Sequence, residues 1–92
     1  MEHIIVAYDI SDDKRRGKVR DILENYGIRV QYSLFECRLK PDDVLKLKFY
    51  LKNLINKEED RIHFYRLCLD CYGKIERIGT DKPITDKETI VI

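Results

Sequence analysis

Asp9 is the first residue of chemical interest. It closes the apolar, β-branched run His3-Ile4-Ile5-Val6-Ala7-Tyr8 and is followed by Ser11, Asp12 and Asp13, residue types that open helices. A carboxylate at the carboxyl end of a central strand is well placed in a cleft. Two readings stand at this point: Asp9 ligates a divalent cation, or it caps the helix or turn that follows. Mg²⁺ wants near-octahedral oxygen ligands, usually one or two carboxylates with water and phosphate, so one Asp alone is a poor site. A twofold axis near Asp9 would supply a second carboxylate. The metal reading therefore depends on a dimer.

Lys14, Arg15, Arg16, Lys18 and Arg20 place five basic residues in seven positions with no acid among them. The N-terminal turns of a helix favour negative charge, so the cluster is locally unfavourable. It either holds phosphates, to which the planar Arg fork is suited, or forms a solvated face beside Asp12, Asp13, Asp21 and Glu24. No base-reading element is visible, so any nucleic acid would be bound by its backbone. Ser33 reads as a turn hydroxyl, with no His or nucleophile elbow nearby. Tyr8, Tyr32 and Phe35 could stack bases or fill a core or interface. Cys68-Leu69-Asp70-Cys71 is a single C-x-x-C; without a second pair it is no zinc signature, and a strand end is the wrong setting for a thioredoxin-type motif. His3 and His63 fall within strand segments and read as core or interface side chains.

The elements that must carry these residues follow from periodicity. Residues 3–8 form a buried strand. Val19, Ile22, Leu23 and Tyr26 fall at helical spacing, so residues 12–26 form a helix, with Gly27 as its stop. Residues 28–39 are β throughout, but the apolar parity switches from Ile28, Val30, Tyr32 and Leu34 to Phe35, Cys37 and Leu39. A switch means a bulge or a tight hairpin near Tyr32-Ser33. Pro41 at a first turn, with Asp42 and Asp43, opens a second helix whose stripe is Val44, Leu47, Leu51, Leu54 and Ile55, ending near residue 56. Residues 57–60 are a charged loop, 61–69 a strand, 70–73 a turn, 74–78 a further strand and 79–83 a turn. The chain ends in Thr-Ile-Val-Ile.

This order predicts an α+β fold, a ferredoxin-like βαββαβ sandwich with an extra C-terminal strand. Right-handed crossovers put both helices on one sheet face. Residues 4–7 are apolar at every position, however, and 62–69 are apolar on both parities. A second copy is the simplest cover for the other face, so a homodimer packed sheet to sheet is expected. Residues 1–92 read as a single domain, with 79–92 a tail that docks on the dimer partner.

Composition sets the outer limits. In 92 residues, 43% are hydrophobic and 38% charged, which excludes a disordered tail, a collagen-like repeat and a membrane span. The core of so short a chain is marginal, another reason to expect an oligomer. Eighteen basic and 17 acidic residues leave a net charge of +1, so a nucleic-acid surface must come from local segregation of charge. Three cysteines are too few for a disulfide scaffold and fit reduced thiols in a cytoplasmic protein.

Val6-Ala7-Tyr8-Asp9-Ile10, Asp13-Lys14-Arg15-Arg16, Tyr26-Gly27 and Val30-Gln31-Tyr32-Ser33-Leu34-Phe35-Glu36, in this order and spacing, resemble the smaller core protein of CRISPR spacer acquisition, the Cas two family, partner of the CRISPR integrase. The second helix and the strand at 60–69 agree with that family as well. The resemblance implies a ferredoxin-like homodimer whose C-terminal segment adds to the partner's sheet. It implies that Asp9 is the Mg²⁺ ligand and catalytic residue, facing its twofold mate, with Tyr8, Arg16, Ser33 and Phe35 in support. It implies a metal-dependent endonuclease acting on single-stranded RNA or duplex DNA. It also implies, as an alternative, an adaptor that bridges integrase dimers and holds a prespacer duplex by its backbone, here through Lys14, Arg15, Arg16 and Lys18. Lys18 stands where the family has Arg, which keeps the charge and loses the fork.

Overall fold

The chain runs β1 (Glu2–Asp9), α1 (Asp13–Glu24), β2 (Gly27–Gln31), β3 (Leu34–Leu39), α2 (Pro41–Leu54), β4 (Arg61–Leu67) and α3 (Leu69–Gly73). The structure, a computed structural model, describes residues 1–80, 82 and 84. Four strands make one antiparallel sheet in the order β2-β3-β1-β4. Each β-α-β unit brackets a strand of the other, which is the expected ferredoxin-like arrangement.

Alternation explains β1. Ile4, Val6 and Tyr8 point to one face and are buried. They meet Phe35, Cys37 and Leu39 of β3, Val19 and Leu23 of α1, and Val44, Leu47 and Leu51 of α2 in one cluster, so both helices lie on that face. Asp12 caps α1 by accepting the backbone N–H of Arg15 at 2.9 Å. Pro41 opens α2 with Asp42 and Asp43 in its first turn, where they suit the helix dipole.

The parity switch in residues 28–39 has both of its expected sources. A two-residue connection, Tyr32-Ser33, joins β2 to β3, and the register shifts between Arg29 and Gln31. Gly27 stands opposite Cys37, and a Cβ there would come within 2.5 Å of both Cys37 Sγ and the Glu36 carbonyl oxygen. The absent side chain lets β2 close on β3.

One expectation is overturned. Residues 70–73 are not a plain turn and 74–78 are not a strand: Leu69–Gly73 forms the short helix α3, and residues 75–78 carry no regular structure. Cys68 supplies a helix cap, which starts α3 where the strand was expected to run on. The chain then crosses the face of the sheet opposite α1 and α2. Tyr72 stacks on His3 at 3.8 Å, Ile75 lines a small cleft with Ile5 and Leu67, and Arg77 forks onto Glu36 of β3 at 2.6 and 2.7 Å. Those contacts hold a segment that was expected to be a strand. The expected terminal strand lies outside the described residues.

The segment leaves part of this second face open. Ile28 remains 54% exposed and Tyr65 51%.

Candidate functional site on the open sheet face

Asp9 has the parity of His3, Ile5 and Ala7, so it belongs to the face opposite the helices, and it is exposed. Its cross-strand partner is Arg61 of β4, also exposed. Ala7, two residues back, lies between Leu34 and His63, and His63 Nδ1 is 3.1 Å from the Tyr65 hydroxyl. The sheet thus gathers the Asp9 carboxylate, the Arg61 guanidinium and an imidazole–phenol pair on a single surface. Arg61 did not stand out in the sequence. Which residue of β4 meets Asp9 depends on strand order and register, which the folded sheet sets.

The residues expected around Asp9 divide by task. Arg16 donates to the carbonyl oxygens of Ile10 at 3.0 Å and Ser11 at 3.4 Å and pairs with Asp13, which braces the loop directly after Asp9. The Tyr8 hydroxyl donates to the Tyr32 carbonyl at 3.0 Å, and the Tyr8 backbone N–H donates to the Ser33 carbonyl at 3.0 Å. Phe35 is fully buried, faces Val6 across the sheet and lies 6.3 Å from the Tyr8 ring. Tyr8 and Phe35 belong to the helix-covered core, on the other side of the sheet from Asp9. Together with the Ser33 carbonyl they fix the end of β1.

The basic cluster of α1 divides in the same way. Arg15 donates from Nε to Asp60 at 2.8 Å and from Nη2 to Glu59 at 3.0 Å. The Asp60 side chain has no exposed surface and also accepts the Asn56 backbone N–H at 2.9 Å. The Arg15 hydrogen bond holds the Asp60 carboxyl below the usual carboxylate range, and Asp60 in turn raises the guanidinium pKa. Arg15 is thus committed to tying α1 to the loop before β4. The charged stretch at 57–60 was legible, but its partner, 45 residues away, was not. Arg20 pairs with Asp21 at 3.5 Å and Glu24 at 3.9 Å. Lys14 and Lys18 stand exposed one turn apart.

Among the described residues, no group of three or more His, Cys, Asp and Glu side chains could hold a metal ion. Asp9 in one chain is a single donor, too few for Mg²⁺. No helix of the described residues is long and apolar enough to cross a membrane.

The family model for CRISPR associated protein Cas2 matches residues 1–75. The chain is 44% identical over 89 residues to "CRISPR-associated endoribonuclease Cas2 1" of Chloroflexus aurantiacus, covering 96% of both chains. It is 49% identical over 88 residues to "CRISPR-associated endoribonuclease Cas2 3" of a Synechocystis species, covering 96% of this chain and 95% of that one. Among solved structures, Streptococcus pyogenes Cas2 superposes with a TM-score of 0.74 at 32% identity, over 84% of this chain and 99% of that one. A chain of a partial Cas6-RT-Cas1–Cas2 complex superposes with a TM-score of 0.76 at 37% identity, over 94% and 99%.

Proposed function

This chain belongs to the Cas2 family of CRISPR-associated proteins, and from that premise we propose that it acts in spacer acquisition beside the integrase subunit and hydrolyses phosphodiesters at Asp9. The endoribonuclease names of its relatives support the activity, and the neighbour from a complex containing Cas1 supports the heteromeric partner. The observation that carries the site is the exposure of Asp9 at the end of β1, on the sheet face that the helices leave open.

A second copy packed on that face would cover Ile28 and Tyr65 and bring a second Asp9 to the twofold axis. One Asp9 from each subunit, with water and a substrate phosphate oxygen, meets the demands of Mg²⁺, whereas one chain alone does not. Mg²⁺ bound there would supply Lewis-acid stabilisation and a more acidic water. The chain's own residues hold the carboxylate in place: Arg16 fixes the loop after it, and the Tyr8 hydrogen bonds fix the strand before it. Arg61, in register with Asp9, offers a cation to a phosphate of single-stranded RNA or duplex DNA. The setting this implies is the cytoplasm.

A second reading is an adaptor that holds prespacer DNA by its phosphates and docks the integrase through its C-terminal edge. The exposed Lys14 and Lys18 favour it. A cleavage assay separates the two. Purified protein is given single-stranded RNA and duplex DNA with Mg²⁺ or with chelator, alongside Asp9→Asn. Metal-dependent cutting that the variant loses supports hydrolysis at Asp9. Equal cutting by both proteins, or none by either, rejects it and leaves the adaptor.

A further inference from the structure

Cys68 and Cys71 sit where β4 hands the chain to α3, clear of Asp9 and of the basic helix. Cys68 occupies the cap position with extended backbone angles, φ −66° and ψ 163°, and its Sγ accepts the backbone N–H of Cys71 at 3.2 Å. A cap side chain leans over the third residue of its helix, so the two thiols share one turn. Side chains three apart on a helix are about 5–6 Å apart at Cβ and a disulfide needs about 3.5–4.5 Å, so the pair must close by about 1–2 Å, a movement open to Cys68 because its backbone lies outside the helix. Both residues are exposed, whereas Cys37 is buried in the core.

The two thiols are also unequal. A hydrogen bond from the Cys71 thiol, then the Cys71 backbone N–H, stabilises the Cys68 thiolate and lowers its pKa; the same thiol contact raises that of Cys71. Burial pushes Cys37 up to about 11. Reactive cysteines are those that are accessible and readily ionised.

We propose that Cys68 and Cys71 form a redox-active dithiol that exchanges with low-molecular-weight disulfides of the glutathione class, Cys68 attacking and Cys71 resolving. The Cys68 thiolate attacks one sulfur of glutathione disulfide. A mixed disulfide forms, the glutathione S–S bond breaks, and a glutathione thiolate leaves. The Cys71 thiolate then attacks the Cys68 sulfur and displaces the second glutathione thiolate. The two protons given up by Cys68 and Cys71 end on the two glutathione thiols. The protein loses two electrons, which the glutathione disulfide gains. The bond closes the first turn of α3, next to the Tyr72 ring that stacks on His3.

The test incubates the whole protein in graded mixtures of reduced and oxidised glutathione near neutral pH. Samples are acid-quenched, unfolded in denaturant, alkylated, weighed intact and then mapped by peptide. The expected product is two hydrogens lighter, carries alkylation on Cys37 alone and reverts with dithiothreitol. Cys71→Ser should accumulate glutathione on Cys68, on the order of tenfold faster than Cys68→Ser accumulates it on Cys71. Circular dichroism checks that both variants keep the fold. Independent alkylation of Cys68 and Cys71 at every ratio, equal glutathione uptake by the two variants, or disulfides only between chains would each overturn the proposal. The wild-type measurement stands without the variants, and none of these readouts depends on nuclease activity.

Discussion

On the helix side of the sheet, Ile4, Val6, Tyr8, Phe35 and Cys37 are at most 6% exposed and interlock with α1 and α2. On the other side of the same strands, Asp9, Arg61, His63 and Tyr65 face outward, and only part of the surface is covered by the chain's own crossing segment. Alternate residues of β1 serve both sides. Burial of the even positions fixes the backbone, and that backbone holds the exposed Asp9 in place. Change on one side should therefore act on stability, and change on the other on chemistry.

The hardest blow to this division would come from Phe35→Ala. Removing a fully buried ring from the helix side should cost about 3–5 kcal/mol, a large part of the stability of a small domain. Urea unfolding followed by circular dichroism would show it, and a loss within experimental error would mean that the helix side does not carry the fold. Gly27→Ala comes next. Its new Cβ would strike Cys37 Sγ and the Glu36 carbonyl, one of them backbone, so β2 must move away from β3 at a cost of about 1–3 kcal/mol. An unchanged urea midpoint would show that the two strands are not tightly joined there.

Asp60→Asn sharpens the comparison through pH. The folded carboxyl is held below its ordinary value by Arg15, so its ionised form stabilises the fold above the unfolded pKa of about 3.9. That contribution is lost as pH falls from there through the lower folded pKa. The variant should be less stable at neutral pH and should show a shallower loss of stability in that acid window. Identical acid profiles for both proteins would remove the clamp from the account. The smallest effect on the fold is expected from replacing Lys14 and Lys18 with Gln. Both are exposed, so stability should stay within about 0.5 kcal/mol. If they meet phosphates, the salt dependence of duplex binding should flatten by about one unit of log–log slope for each lysine. An unchanged slope would move the DNA contact elsewhere.

Much of the fold was legible because it is local. The β-branched apolar run of residues 3–8, the helical spacing of Val19 and Leu23, Pro41 at a helix start and the parity switch at Tyr32-Ser33 are properties of neighbouring residues. The exposed position of Asp9 at a strand end was legible for the same reason. Residues 74–78 were misread because a short stretch carrying Ile75 and Ile78 suits a strand as well as it suits a segment laid across a face. Only the contacts of Ile75 and Arg77 with residues far back in the chain separate the two.

By itself, then, the sequence determined the order of the elements through β4 and which side-chain types each of them carries. Both follow from side-chain type and from periods of a few residues. Only the tertiary structure decided which face of β1 the helices cover, that Arg61 stands beside Asp9, and that Arg15 is held by Asp60 across 45 positions of sequence. Those outcomes depend on which distant groups meet once the sheet closes and both helices seek burial on one side. No local pattern encodes such a meeting.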